Sequence, residues 1–154
     1  MESDLERFKP TIVRLQATDL TPFELLLYRN GLPHDDCSAK ISSFSGIFDS
    51  TRLVAAGGLE VAGGDGLLRS VVVDPDYRGR GLAGSMIHHL IDNARRQHLG
   101  AVYLLTETAH SYFTRFGFAR VDRHVAPEAI RQTRQFADLC PDSAVFMQLK
   151  LGNP

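Results

Sequence analysis

A run of apolar and β-branched residues, LLRSVVV (Leu67 to Val73), leads through DPDYRGRGLAGSM (Asp74 to Met86) into a long amphipathic stretch. Beyond the glycines, apolar residues recur as Ala83, Met86, Ile87, Leu90, Ile91 and Ala94. That i, i+3, i+4, i+7 stripe predicts a helix from Leu82 to about His98, packed by one face on a sheet. Gly100 is expected to end it, and AVYLLT (Ala101 to Thr106) reads as a buried strand. Strand, helix, strand in that order is a βαβ unit, whose two strands run parallel because the crossover carries the chain back to the same end. The fold class is therefore α/β with a parallel pair in its sheet.

The flanking segments add antiparallel strands. TIVRLQA (Thr11 to Ala17) predicts a short strand, and Asp19 or Thr21 can cap a helix through Tyr28 that NGLP (Asn30 to Pro33) ends. FSGIFD (Phe44 to Asp49) and RLVAAGGLEV (Arg52 to Val61) read as a hairpin about Ser50 and Thr51. GGDG (Gly63 to Gly66) makes the next turn, so Phe44 to Val73 is an antiparallel meander. After the βαβ unit come a short helix, Ala109 to Phe116, closed by Gly117, the strand FARVD, a helix from Pro127 to about Asp138, and a final strand, SAVFMQLKL (Ser143 to Leu151). The expectation is one domain, 1–154, built as a mixed α/β (α+β) sheet flanked by helices.

Composition narrows the function classes. The formal net charge of −1 marks no nucleic-acid or membrane-surface binder. No apolar run reaches the length of a membrane span, and MESDLERFKP lacks the order of a signal peptide. Cys37 and Cys140 form no metal or CxxC pattern, and they read as free thiols in a reducing compartment, so a cytoplasmic protein is expected. His88 and His89 are adjacent on a helix and point apart, and His110 and His124 are isolated, so no metal is expected.

A turn of small residues opening a helix is an anion site. The first backbone N–H groups of a helix have no internal partner and carry the positive end of its dipole. Glycines let phosphate oxygens approach those groups, and Arg78 and Arg80 add charge. Three readings compete: an incidental turn, a dinucleotide fingerprint, or another phosphate carrier. Gly79, Gly81 and Gly84 do fit G-x-G-x-x-G, with Glu107 after the next strand. Against it, DPDYR separates the strand from the first glycine and a meander precedes the unit.

VDPDYRGRGLAGSMI (Val73 to Ile87) resembles the acetyl-coenzyme A motif of the Gcn5-related N-acetyltransferases, with Arg78, Gly81 and Ala83 filling its pattern. AHSYFTRFGF (Ala109 to Phe118) resembles the same family's motif around a later helix that ends in Gly-Phe. GLP, GLLRSVVV, YLLT and FADLCPDSAVFMQL are further similar to small acetyltransferases found with arsenic-resistance genes and, more remotely, to the acetylating domain of N-acetylglutamate synthase. The resemblance implies acetyl-coenzyme A as cosubstrate and direct attack by an amine on its thioester. It implies a small, amino-acid-like acceptor and leaves a homodimer open.

The resemblance also implies site residues. The strands Leu67 to Val73 and Ala101 to Thr106 would splay at their C-terminal ends. Pantetheine would then hydrogen-bond the backbone of Val71 and Val73, with an N–H near Val72 or Val73 polarising the thioester carbonyl. The pyrophosphate would rest on N–H groups of Gly79, Arg80, Gly81, Leu82, Ala83, Gly84 and Ser85. Two positions depart from the family. Phe113 stands where many members have a proton-donating Tyr, with Tyr112 beside it, and Thr106 stands where many have Asn.

Glu60 is the best candidate base, late in a strand after paired Gly57 and Gly58, and its competing reading is a solvent-facing strand residue. Strand alternation puts Arg69 on one face with Leu67, Val71 and Val73, either at an exposed strand end or paired with an acid. Arg131 and Arg134, three apart on a helix, could hold an acceptor carboxylate or lie on a solvated face. Glu107 is expected to cap the helix after it. A catalytically silent coenzyme A sensor or partner module is the alternative from another class.

Overall fold

The structure, a computed structural model, describes residues 10–139 and 143–152. Its strands are β1 (Ile12–Arg14), β2 (Phe44–Asp49), β3 (Arg52–Ala62), β4 (Asp65–Val73), β5 (Ala101–Thr106), β6 (Ala119–Arg120) and β7 (Val145–Lys150). Its α-helices are α1 (Leu20–Arg29), α2 (Leu82–Arg96), α3 (His110–Thr114) and α4 (Glu128–Arg131). The strands form one seven-stranded sheet in the order β1-β2-β3-β4-β5-β7-β6. β4 pairs with β5 in parallel, Gly66 against Val102 and Leu67 against Tyr103, as the βαβ reading requires. The pairs β1 with β2, β5 with β7 and β6 with β7 are antiparallel.

The chain divides into two compact units. One holds the chain up to Gly57 together with Ser70–His89. Its core joins Phe23, Leu26 and Leu27 of α1 to Phe44 of β2, Leu53 and Ala56 of β3 and Val72 of β4. The Phe23 and Phe44 rings meet with centroids 4.7 Å apart. Burial of each such ring is worth about 1.5–3 kcal/mol, so these side chains fix α1 on its strands. α1 ends as NGLP predicts. Gly31 takes φ 71°, its N–H reaches the Tyr28 carbonyl, and Leu32 N–H reaches that of Leu27. Its start differs from expectation: the Asp19 carboxylate turns back to the Gln16 N–H at 2.8 Å and makes no cap bond to α1.

The other unit holds Gly58–Arg69 and the chain from Leu90 onward. Leu67, Ala101, Tyr103 and Phe146 of the sheet and Ile130 of α4 make its core. Tyr103 stacks on Phe146 with centroids 5.3 Å apart, and its hydroxyl accepts from Gln148 Nε2 at 3.0 Å. β5 and β7 pair along their whole length, from Ala101–Lys150 to Thr106–Val145.

Three expectations need correction. α2 stops at Arg96, before Gly100. His98 takes φ 58°, its N–H meets the Arg95 carbonyl and Leu99 N–H that of Ala94, so a non-glycine residue closes the helix. The helix expected from Pro127 to Asp138 is broken. α4 covers only Glu128–Arg131, and Gln135–Leu139 form a π-helical turn. The Thr133 hydroxyl, which donates to the Ile130 carbonyl at 2.7 Å and accepts from Phe136 N–H, offers the backbone an alternative to regular helix at the break. The strand expected at FARVD shrinks to Ala119–Arg120. Cys37 is a buried thiol outside any disulfide, whereas Cys140 lies outside the described residues.

Candidate active site

In the first unit the glycine-rich turn is held from below by Asp74. Asp74 N–H bonds the Val54 carbonyl of β3 at 2.8 Å, and its carboxylate accepts from Asp76 N–H at 2.9 Å and from Arg52 Nη2 at 2.8 Å. Burial pushes the Asp74 carboxyl up, but the Asp76 amide and the Arg52 guanidinium outweigh it and hold the pKa below the ordinary value. Tyr77 stands above this anchor. Its hydroxyl donates to the Asp49 carboxylate, which raises the phenol's pKa, and its ring lies under Arg80 at 4.5 Å and Arg52 at 5.4 Å.

The turn itself has the form that the physics of anion binding asks for. Gly79 and Gly81 take φ 80° and 76°, backbone that L side chains rarely adopt. A Cβ placed at either would meet no atom within 4 Å, so the backbone there faces open space. α2 begins at Leu82, with Ser85 N–H bonded to the Gly81 carbonyl at 3.0 Å. The N–H groups before Ser85 therefore lie ahead of the helix's own hydrogen-bond ladder. Leu82 is buried and roots the helix, Ala83 and Gly84 are half-buried, and Ser85 is exposed. Arg78 donates to Asn30 Oδ1 at 2.8 Å, while Asn30 Nδ2 holds the Leu26 carbonyl of α1. Arg80 reaches the Asp76 carbonyl at 3.2 Å. Both arginines are exposed, and both are oriented by neighbours that sequence spacing does not reveal.

Val71 and Val73 of β4 are half-buried, and Val72 is in the core. Ser70 departs from the expected pleat. It takes φ 59° inside the strand, so alternation counted from Leu67 ceases to be a guide beyond it.

The second unit carries the remaining candidates. Glu60 is 5% exposed and Arg69 is 3% exposed, which removes the solvent-facing reading of Glu60 and the exposed-end reading of Arg69. Ala62 and Leu67 both pack on the Tyr103–Phe146 cluster. Glu60 and Arg69, each two residues away along the same strands, share that face of the sheet by alternation. Thr106 Oγ1 accepts from Ala109 N–H at 3.0 Å, just ahead of α3, and Glu107, expected to cap that helix, is exposed. Tyr112 and Phe113 lie half-buried on α3. Tyr112 meets Phe116 at 5.3 Å with Arg115 over its ring, and Phe113 meets Phe118 at 6.0 Å. Arg131 donates Nε to the Ala126 carbonyl at 3.0 Å and Nη2 to that of His124 at 2.7 Å. Arg134 is exposed, and the break after α4 means that the two arginines share no regular helix.

Sequence reasoning misses a groove of about 640 Å³ between the segment after β6 and the start of β7. Arg120, Arg123 and His124 line it, and nothing in their spacing marks them, because the pairing of β6 with β7 brings them together with Ser143. Among the described residues no group of three or more His, Cys, Asp or Glu side chains is placed to hold a metal, and no helix is long and apolar enough to cross a membrane.

Comparison with curated protein sequences finds no match. Solved structures of similar fold include Rv2747 from Mycobacterium tuberculosis in complex with CoA and NLQ. It has a TM-score of 0.79 and 21% identity, over 92% of this chain and 99% of that one. N-acetylglutamate synthase from Neisseria gonorrhoeae, complexed with coenzyme A and N-acetyl-glutamate, aligns with a TM-score of 0.81 and 17% identity over 99% of this chain. This protein spans only 36% of that longer chain. The ribosomal-protein-S18-alanine N-acetyltransferase from Escherichia coli aligns with a TM-score of 0.71 and 21% identity, over 95% and 96% of the two chains. At these identities the likeness is one of fold. The profile that matches residues 11–118, most of the chain and the whole of the glycine-rich turn, is that of the acetyltransferase (GNAT) family, and the chain belongs to that family.

Proposed function

We propose that the protein moves the acetyl group of acetyl-coenzyme A to the amino group of a small, amino-acid-like acceptor, with residues 1–154 acting as one catalytic domain. The observation that carries the reading is the backbone cradle at Gly79 and Gly81. Two left-handed glycines with open space where side chains would stand, at the start of a 15-residue helix, suit a diphosphate. In this reading the N–H groups from Gly79 to Ser85 take the pyrophosphate of coenzyme A, with Arg78 and Arg80 beside them. The backbone of Val71 to Val73 takes the pantetheine arm and polarises the thioester.

Glu60 acts as the base that accepts the ammonium proton of the acceptor, and its burial supports a carboxylate working away from bulk water. Tyr112 serves as proton donor to the departing thiolate, or the thiolate leaves without one, since a thiol's ordinary pKa of about 8.5 makes it a fair leaving group. Thr106 and Phe113 border the acyl end of the cofactor, and Arg69 and Arg134 face the acceptor, while Arg131 holds the Ala126 and His124 carbonyls. The amino-acid acceptor is supported by the fold likeness to a structure complexed with N-acetyl-glutamate. The kinship with arsenic-resistance acetyltransferases is part of the same proposal, on the segments quoted above, as are a cytoplasmic location and a homodimer.

The test is calorimetric titration with coenzyme A, followed by thiol release from acetyl-coenzyme A with a panel of L-amino acids. Micromolar binding and turnover of at least one amino acid is the expected result. Binding without turnover on any amine would favour a silent sensor, the reading to which Phe113, which has no proton to donate, lends weight. Absence of binding would overturn both.

A further inference from the structure

We infer that Asn30, the residue that closes α1, is a positioning residue for coenzyme A: it holds the Arg78 guanidinium ready for the diphosphate and adds to cosubstrate affinity without touching the cosubstrate. The inference deepens the reading of the glycine cradle given above and rests on it.

The contact lies wholly within the first unit. Arg78 Nη2 donates to Asn30 Oδ1 at 2.8 Å, across 48 positions of sequence. Arg78 immediately precedes Gly79, the first left-handed glycine of the turn. The amide of Asn30 is used at both ends, because its Nδ2 donates to the Leu26 carbonyl in the last turn of α1, also at 2.8 Å. A carbonyl only accepts and a guanidinium only donates, so the group between them must do both, as an amide does. A carboxylate in this place could not donate to Leu26 and would offset the charge of Arg78.

The support behind Asn30 is firm. Leu26 and Leu27 are buried in the core that also holds Val72 of β4, the strand that leads into the glycine turn. Asn30 N–H bonds the Leu27 carbonyl at 3.1 Å, so the same turn of helix fixes its main chain and its side chain. The neighbouring Arg29 is near enough for its charge to help hold the Asp74 carboxyl ionised at the foot of the cradle. The C-terminal end of a helix is the negative pole of its dipole, which favours a guanidinium docked there. A loose arginine loses many rotamers when it meets a ligand, whereas one already held loses few. The bond to Asn30 uses one N–H of the planar fork and leaves others to offer a phosphate oxygen.

The experiment is calorimetric titration of the whole chain with coenzyme A, with the thermal midpoint of every variant. Asn30→Ser separates the two bonds. A serine hydroxyl can reach the carbonyl four residues back and keep the end of α1 closed, but it is too short to reach Arg78 as well. Asn30→Ser should lower affinity about fivefold, the worth of ordering one long side chain. Asn30→Ala should lower it by the same factor and reduce the thermal midpoint besides. Arg78→Ala should bind more weakly than wild type, and in that background neither change at Asn30 should cost anything further. Unchanged affinity in Asn30→Ser overturns the inference, as does an Arg78→Ala variant that binds like wild type. A loss that persists at full size in the Arg78→Ala background also overturns it, since Asn30 would then act only through the helix end. Gly81→Asp in the same titration reads the cradle separately. Undiminished binding there, or a wild type that does not bind coenzyme A, overturns the cradle reading and this inference with it.

Discussion

The guanidinium of Arg80 lies 4.5 Å from the centroid of the Tyr77 ring, so the charge beside the glycine turn is held by the residue that starts the turn. Tyr77 is itself tied to Asp49 of β2 through its hydroxyl. The cradle is thus connected to the meander by side chains as well as by the backbone bond from Asp74 to Val54. Replacing Tyr77 with Phe keeps the ring under Arg80 and removes the bond to Asp49. Coenzyme A affinity in Tyr77→Phe should fall about fivefold, and in Tyr77→Leu further, because the cation–π contact goes as well. Calorimetry on the two variants, with circular dichroism as a check on folding, reads the difference; affinities equal to wild type would show that Tyr77 does not order the cradle.

Gly81 supports a sharper prediction. A side chain at Gly81 has room, yet the backbone at φ 76° strains it, by roughly 1–2 kcal/mol. Gly81→Asp should lower the thermal midpoint by about 2–8 °C. It should also cost far more in binding, since a carboxylate would face the diphosphate. Calorimetry is expected to show coenzyme A affinity reduced by about a hundredfold or more. Undiminished binding would place the cofactor elsewhere.

Glu60 is only 5% exposed, so its substitution by the isosteric amide changes protonation chemistry with little change of volume. In Glu60→Gln, kcat should fall by about 10²- to 10⁴-fold with KM for acetyl-coenzyme A unchanged. A variant that keeps wild-type kcat would move the base to another group.

The Asp74 carboxyl has a pKa held below its unfolded value, so its ion pair with Arg52 adds stability that is fully present above the ordinary carboxylate value of about 3.9. That contribution is lost as pH falls through the lower, folded-state value. Thermal midpoints measured from pH 6 down to pH 2 should therefore drop more steeply for wild type than for Asp74→Asn. Parallel curves would show that Asp74 is not selectively stabilised in the folded state.

Much of the fold and of the cradle is legible in the sequence, for identifiable reasons. α2 is announced by its period of apolar residues, and the parallel pairing of β4 with β5 comes from chain connectivity alone. The glycine turn is legible because only glycine takes its φ angles cheaply, so the residue type reports the backbone. Where the residue type does not report the backbone, reading fails. Ser70 and His98 sit at φ 59° and 58° with no glycine to mark them, and each redirects the chain beyond it: Ser70 resets the pleat of β4, and His98 closes α2. The break after α4 is illegible for a similar reason, since Thr133 makes a local bond that no periodicity displays. The groove that Arg120, Arg123 and His124 line is hidden because these residues meet Ser143 only through the pairing of β6 with β7. Burial of Glu60 and Arg69 is ambiguous in the sequence because a strand with polar residues on one face reads alike whether that face meets water or a second layer.

The outermost strands, β1 and β6, hold only three and two residues. Unpaired amides and carbonyls on a sheet's margin are what invite a foreign strand to add on, and short margins offer too few of them to reward it. A sheet bounded this way resists end-to-end growth into fibrils even when the molecule is crowded. The meander can therefore carry long, largely buried strands such as β3 and β4 in its middle without turning them into a hazard for the cell that makes it.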